Sequence, residues 1–278
     1  MTLPHGSVTV KSLIKRAPLT FGGAVRGWLL MNNIVSAEEG NRFQHLEEAL
    51  QQKRHRIQHS ILQWVSGSQP RYQWRKPGET PYQVFVGEFL LTHTSPKTAI
   101  TIYDDFLKKF PTLHVLQQSG EKTISAFLKE LGVKIHSGCL MSAGSYLFSD
   151  TCLDLPHDSE SLCKLPELTV ANGQAIFCFG YDLPLVVLDE NSSRLLRRVF
   201  QNTLPDKPKH SLLQSIGEAL LPYYNSQEFN RGLLELAEII CTESNPDCEK
   251  CPVADVCDWA GGPSSINDNE IELSGLFD

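Results

Sequence analysis

The spacing of apolar residues marks a succession of helices along the chain. Ile57, Ile61, Leu62 and Val65 recur at helical intervals and continue a Gln- and Glu-rich stretch over 38–61, until Gly67, Ser68, Gln69 and Pro70 break the pattern. Thr80, Pro81 and Tyr82 open an apolar helix that runs to about Leu91. Ser95 and Pro96 start the next one, a hydroxyl cap before a proline at the first helical position, with Ile100, Tyr103, Phe106 and Leu107 expected inward. Ser119 is expected to open another, with Ile124, Phe127, Leu128 and Leu131 along one side, and a further helix should run from Leu131 to about Phe148. Towards the C-terminus a short apolar segment over 183–188 delivers Asp189 to a helix head. Residues 212–224 and the amphipathic run 229–240 follow, with Asn225 and Glu228 as the expected capping pair of the last helix.

Composition narrows the class. The chain has 278 residues, of which 41% are hydrophobic and 21% charged, so it reads as soluble and globular with material for one large domain or two modest ones. No apolar run approaches the roughly 18 residues of a membrane span, and the N-terminus lacks the order of a signal peptide; the expected setting is intracellular. The formal net charge is -7, which lowers the odds of a nucleic-acid partner, since such affinity comes largely from cations meeting phosphates. A local basic surface remains available: 194–210 holds Arg194, Arg197, Arg198, Lys207 and Lys209 against Asp206 alone. That stretch could face phosphate or be a solvated helix face.

Three features carry chemistry. Cys241, Cys248, Cys251 and Cys257 are separated by six, two and five residues, directly after an amphipathic helix. Thiolates this close together suit a cubane iron–sulfur cluster or a tetrahedral zinc. A zinc ribbon would show two Cys-x-x-Cys knuckles, and here there is one. The other four cysteines, Cys139, Cys152, Cys163 and Cys178, show no framework spacing and are expected as buried free thiols. Glu88 lies four residues after Val84 and three before Leu91, on or beside an apolar helix face. Burial disfavours the ionised form of a lone carboxylate and would prepare it to act as a general acid; the alternative is a Glu at the core edge, reaching water or a basic partner. Asp189 in turn is either a simple helix cap or part of a site.

Taken together in this order, these residues resemble the helix-hairpin-helix DNA glycosylases of the endonuclease III and MutY branch. The cysteine spacing matches the cluster loop of that branch. Arg71 to Arg75 followed by the Pro81-Tyr82 start is similar to the beginning of the MutY core, and Gly87-Glu88-Phe89-Leu90-Leu91-Thr92-His93 is similar to the segment bearing its catalytic acid. Asp189-Glu190-Asn191-Ser192-Ser193-Arg194 resembles the family's Asp-Gly-Asn-x-x-Arg run. The resemblance covers about 54–257.

What the resemblance implies is an all-α, two-lobed enzyme with a C-terminal 4Fe-4S cluster held by Cys241, Cys248, Cys251 and Cys257. Residues 53–80 and 200–262 would form the cluster-bearing lobe and 81–199 a six-helix lobe, with 1–52 an extension of unread role and 263–278 a polar tail lacking the 8-oxoguanine recognition domain. The reaction would be monofunctional hydrolysis of the N-glycosidic bond of a flipped base, adenine foremost, in duplex DNA bound by a monomer. Glu88, Asp189 and Asn191 would be catalytic. Thr92, His93, Asn172, Gly173, Arg194 and Arg198 would contact DNA. The family's hairpin glycines are replaced by Glu167 and Thr169, leaving Asn172 and Gly173 as substitutes, and Ala171 stands where bifunctional members carry a lysine nucleophile, so lyase chemistry is not expected. A thymine-mismatch or modified-base glycosylase, and a non-catalytic iron–sulfur DNA- or protein-binding relative, are the alternatives.

Overall fold

The structure, a computed structural model, describes residues 37–133, 140 and 168–261. The regular elements among the described residues are all helical, with no strand among them. In chain order they form α1 (Ala37–Val65), a 3-10 turn (Gln73–Arg75), α2 (Pro81–His93), α3 (Pro96–Lys109), α4 (Leu113–Glu130), α5 (Val170–Ala175) running into a π-helical turn (Ile176–Gly180), α6 (Glu190–Val199), α7 (His210–Leu220) and α8 (Ser226–Ile239). Two 3-10 turns, Cys248–Lys250 and Ala254–Val256, close the cysteine loop. Residues 1–36 and 262–278 lie outside the described part. So do Ile135, Phe148, Glu167, Cys139, Cys152 and Cys163.

The capping chemistry read from sequence starts α2, α3 and α6. Thr80 accepts from Gln83 N while the Gln83 side chain accepts from Thr80 N, a reciprocal box ahead of Pro81; Ser95 caps α3 through Thr98 N. Two expectations change and one is sharpened. Ile100 is exposed, and α3 turns Ala99, Ile102, Tyr103 and Phe106 inward instead. The helix read from Ser119 is there: α4 joins two helices at Gly120, whose non-helical φ of 71° favours glycine, and the first of them starts at the cap Thr112. Asn225 makes no side-chain cap on α8 and is itself left-handed, with φ 62°.

Two apolar cores result. One gathers Trp74, Phe85, Phe89, Phe106, Phe110 and Phe179 around α2. The other packs α1 against α8 and α6 through Leu50, Ile57, Ile61, Leu196, Phe229 and Leu233. α1 runs unbroken past residue 52, and Leu46, Ala49 and Leu50 are already in the second core, so the expected boundary at 52 falls inside a packed helix. α6 also packs in the second core, although its residues were assigned to the other lobe.

The extended segment 183–188 is the seam between the cores. Successive side chains of an extended chain point to opposite sides. Val187 accordingly enters the first core, while Val186 and Leu188 enter the second. Without a neighbouring strand, the seam takes its backbone hydrogen bonds from side-chain amides. Val187 N donates to Asn230 Oδ1 at 2.7 Å, Asn230 Nδ2 donates to Leu185 O at 2.9 Å, and Leu188 N donates to Gln174 Oε1 at 3.0 Å. Buried amides must find such partners, and these fix where the next residue, Asp189, emerges.

Candidate functional site

Glu88 sits in the middle of α2 with 2% exposure. It is not the lone carboxylate that the sequence expectation considered. Arg75 grips it bidentately, Nε donating to Oε1 at 2.7 Å and Nη2 to Oε2 at 3.0 Å, and Trp74 Nε1 donates to Oε1 at 3.0 Å. Burial of a charge is tolerated when both partners are paired and hydrogen-bonded. Burial alone would lower the Arg75 pKa. The Glu88 carboxylate, by charge and hydrogen bonds, and Asp189 beyond it overcome that effect and raise it above the ordinary arginine value. The indole of Trp74 is held in turn by Gly87, where a Cβ would stand 2.1 Å from the ring, and by Tyr72 and Tyr103, whose ring centroids lie 5.1 and 5.0 Å from its own.

Asp189 caps α6, its Oδ1 accepting from Ser192 N and Ser192 Oγ, both at 2.7 Å. It also acts electrostatically on Arg75. Glu88, which pairs with Arg75, and Asp189, which acts on it by charge alone, stand 101 positions apart in sequence. Asn191 Oδ1 accepts from Arg194 Nη1 at 2.8 Å, which leaves the amide nitrogen as its remaining donor end.

The expected DNA contacts divide. Thr92 is exposed and donates to Glu88 O at 2.9 Å, and its hydroxyl reaches Asn172 Oδ1 at 3.3 Å. The His93 ring lies against Phe89, with centroids 4.3 Å apart. Asn172 is buried inside a capping box in which Thr169 N and Oγ1 donate to its Oδ1 at 2.8 and 2.7 Å; Gly173 is buried beside it. Thr169 therefore starts α5 by a reciprocal side-chain cap where the family's loop has glycine. Arg194 and Arg198 are turned inward. Arg194 Nη2 donates to Ala237 O at 2.7 Å and Cys241 O at 2.8 Å. Arg198, 9% exposed, donates to Thr242 O at 2.7 Å, Glu243 O at 2.8 Å and Cys241 Sγ at 3.2 Å. Their planar forks clamp the cysteine loop onto α6 and are directed at carbonyls in this arrangement.

All four loop cysteines line one chamber, together with Leu195, Arg198, Asp247 and Trp259. Burial pushes the Cys251 thiol up to about 11; it also raises Cys257, against backbone N–H groups of Ala260 and Trp259 that lower it. Among the described residues no three His, Cys, Asp or Glu side chains are arranged about a single metal ion. The donor set is all sulfur, and Arg198 beside it has no carboxylate within ion-pair distance among the described residues. A buried cation facing only neutral carbonyls and thiols fits an anionic group in the chamber, as a thiolate-ligated cluster would be. Cys178, the remaining described cysteine, is a buried free thiol that accepts from Asn230 Nδ2 at 3.3 Å.

Sequence reasoning missed Arg75, Asn230 and Gln174. Arg75 stood in a Trp-Arg pair noted only for its likeness to a motif, and nothing local could reveal that its partner is thirteen residues on.

No family model matches the chain. Curated relatives do. The chain is 29% identical over 179 residues to an adenine DNA glycosylase of Buchnera aphidicola subsp. Baizongia pistaciae, covering 64% of this chain and 51% of that protein. It is 29% identical over 217 residues to an adenine DNA glycosylase of Mycobacterium tuberculosis, covering 76% and 71%. A thymine/uracil-DNA glycosylase of Methanothermobacter thermautotrophicus is 24% identical over 216 residues, covering 77% and 97%. The chain thus spans about half the length of the first of these. Among solved structures, a thermostable thymine-DNA glycosylase superposes with TM-score 0.69 at 24% identity, over 77% of this chain and 99% of that one. A non-covalent endonuclease III–DNA complex gives 0.63 at 13%, over 76% and 96%. With the helical fold, the cysteine chamber after α8 and relatives of both excision types aligned over most of its length, the chain resembles the helix-hairpin-helix DNA glycosylases.

Proposed function

We propose that this protein is a monofunctional DNA N-glycosylase that hydrolyses the bond between sugar and base of a nucleotide flipped out of a duplex. The observation that carries this reading is the buried Glu88 carboxylate held by Arg75 and Trp74, with Asp189 at the head of α6 near enough to act on the same guanidinium by its charge. Two carboxylates in unlike environments are the usual equipment for breaking a glycosidic bond. Glu88 hands a proton to the departing base, which leaves with the electron pair of the broken C–N bond. Asp189 stabilises the cationic sugar, and Asn191, held by Arg194, donates from its amide nitrogen to order water for addition at that carbon, the proton that this water loses returning to the Glu88 carboxylate. Oε1 of Glu88 accepts two hydrogen bonds and Oε2 only one, so Oε2 keeps a free lone pair for the proton it transfers. The half-buried Ala171 offers no amine for a Schiff base.

Adenine is the first substrate to test, since relatives at 29% identity carry that name. A thymine or uracil substrate is the second reading, favoured by the similarity to a thymine/uracil-DNA glycosylase and to the structure of a thymine-DNA glycosylase, each at 24% identity. The thiols Cys241, Cys248, Cys251 and Cys257 would hold a 4Fe-4S cluster, which supplies an anchoring, four-thiolate centre and leaves hydrolysis to the carboxylates. DNA is the proposed partner, with Thr92 and His93 at the end of α2 as contacts. Purified protein is assayed on duplexes carrying adenine opposite guanine or 8-oxoguanine, and thymine or uracil opposite guanine. Release of one base by the wild type, and a loss of at least about 100-fold in Asp189→Asn with the fold intact, is expected. No release from any duplex would sink the enzymatic reading in favour of a non-catalytic DNA- or protein-binding relative.

A further inference from the structure

Beyond Cys257 the chain turns back over the thiol chamber and is tied down on two sides. Asp258 forms a buried ion pair with Lys53 of α1 and accepts from Asn202 N at 3.0 Å, while Lys53 also donates to Val199 O at 2.9 Å. Trp259 N donates to Arg198 O at 3.1 Å, and Asp258 N to Val199 O at 3.4 Å. Residues 258 and 259 are therefore fastened to the last turn of α6 and, through Lys53, to α1.

This fastening sets the Trp259 ring beneath the Arg198 guanidinium, 4.8 Å from its centroid. The same guanidinium donates to Cys241 Sγ at 3.2 Å. Trp259 lines the chamber and is also 53% exposed. It is thus a wall with water on one side and the thiols on the other. An indole spread over a cation that touches a ligand sulfur both blocks solvent and holds that cation in place.

We propose that Trp259, stacked on Arg198 and moored by the Lys53–Asp258 pair, is the latch of the thiol chamber and sets how slowly the bound iron–sulfur cluster is lost. The inference rests on the reading that the four thiols hold such a cluster. Residues outside the direct ligands commonly change metal retention by about 10- to 100-fold. Trp259 is the cleanest probe because it is itself 53% exposed and its one described ring contact is the Arg198 guanidinium under test.

The full chain is purified as wild type, Trp259→Ala and Trp259→Phe, and iron and sulfide per chain are counted. Each protein is then mixed with a ferrous chelator while the visible absorbance is followed, with circular dichroism melting to confirm the fold. Trp259→Ala should release iron about tenfold faster or more, and Trp259→Phe should stay within about twofold of wild type. Equal release from wild type and Trp259→Ala, both loaded and folded, overturns the latch and leaves the cluster reading standing. A wild type carrying zinc and no sulfide overturns the cluster reading, and the same comparison with a zinc-binding dye then decides the latch. A wild type carrying no metal at all overturns both.

Discussion

Two buried arginines organise opposite ends of the site, and they are satisfied in different ways. Arg75 meets a full opposite charge: its fork lies on both oxygens of Glu88, with Asp189 adding to the field. Arg198 meets carbonyl oxygens, a thiol and an indole face, and no carboxylate among the described residues. The first is a closed pair that can be complete in the free protein. The second is a cation whose counter-charge is missing from its protein neighbours, and the four thiols beside it are where that charge would reside. Under the proposed function, the carboxylate end is the one a substrate opens and the thiol end the one a cofactor closes.

The largest effect expected from this contrast comes from Arg75→Met. It strands the Glu88 carboxylate in a site with 2% exposure, and losing one partner of a buried pair costs about 3–5 kcal/mol. Chemical unfolding of the variant measures it, and adding Glu88→Gln should recover part of the loss. A single variant within about 1 kcal/mol of wild type would mean that the pair does not hold this region.

Arg198→Met should cost less in metal-free protein, about 1–3 kcal/mol for carbonyls left without donors. In metal-loaded protein the loss should be larger, since an anionic centre then loses its cation. Unfolding before and after chelation compares the two; equal losses would erase the distinction between the arginines.

The smallest effect tests the surroundings of Arg75. Burial, and then the hydrogen bond to Glu238, push the Tyr72 hydroxyl up to about 12. Its ring lies 4.8 Å from the Arg75 guanidinium. A phenol that loses its proton near 10 when unfolded and near 12 when folded contributes stability that is full below pH 10. That contribution fades as pH rises towards 12. Roughly 1 kcal/mol should disappear between pH 9 and 11, and Tyr72→Phe should lack that component.

The difference between the two arginines also explains what could be read beforehand. The cysteine spacing and the Asp189 to Arg194 run are local patterns, so four thiols on one chamber and an aspartate capping α6 were legible. Glu88 was placed on a buried face from its distance to Val84 and Leu91, and the face is buried. Arg194 and Arg198 were read as surface cations because a run of basic residues on a helix says nothing of which carbonyls lie opposite. Their partners stand 43 to 47 residues away. Asn172 and Gly173 were chosen as replacements for missing glycines, whereas Thr169 makes its own cap and draws Asn172 into it.

By itself the sequence determined the local elements: where most helices begin, which face of α2 is apolar, which thiols belong together and which superfamily they indicate. These follow from 3.6-residue periodicity, capping chemistry and short spacings, all of which act within a few residues. Only the tertiary structure decided what surrounds each charge. Whether Glu88 is alone or gripped, whether Arg198 faces phosphate or thiol, and where Asn230 directs the seam depend on segments distant in sequence. Their approach is set by the packing of two cores, and the energy of a buried charge depends on its neighbours in space.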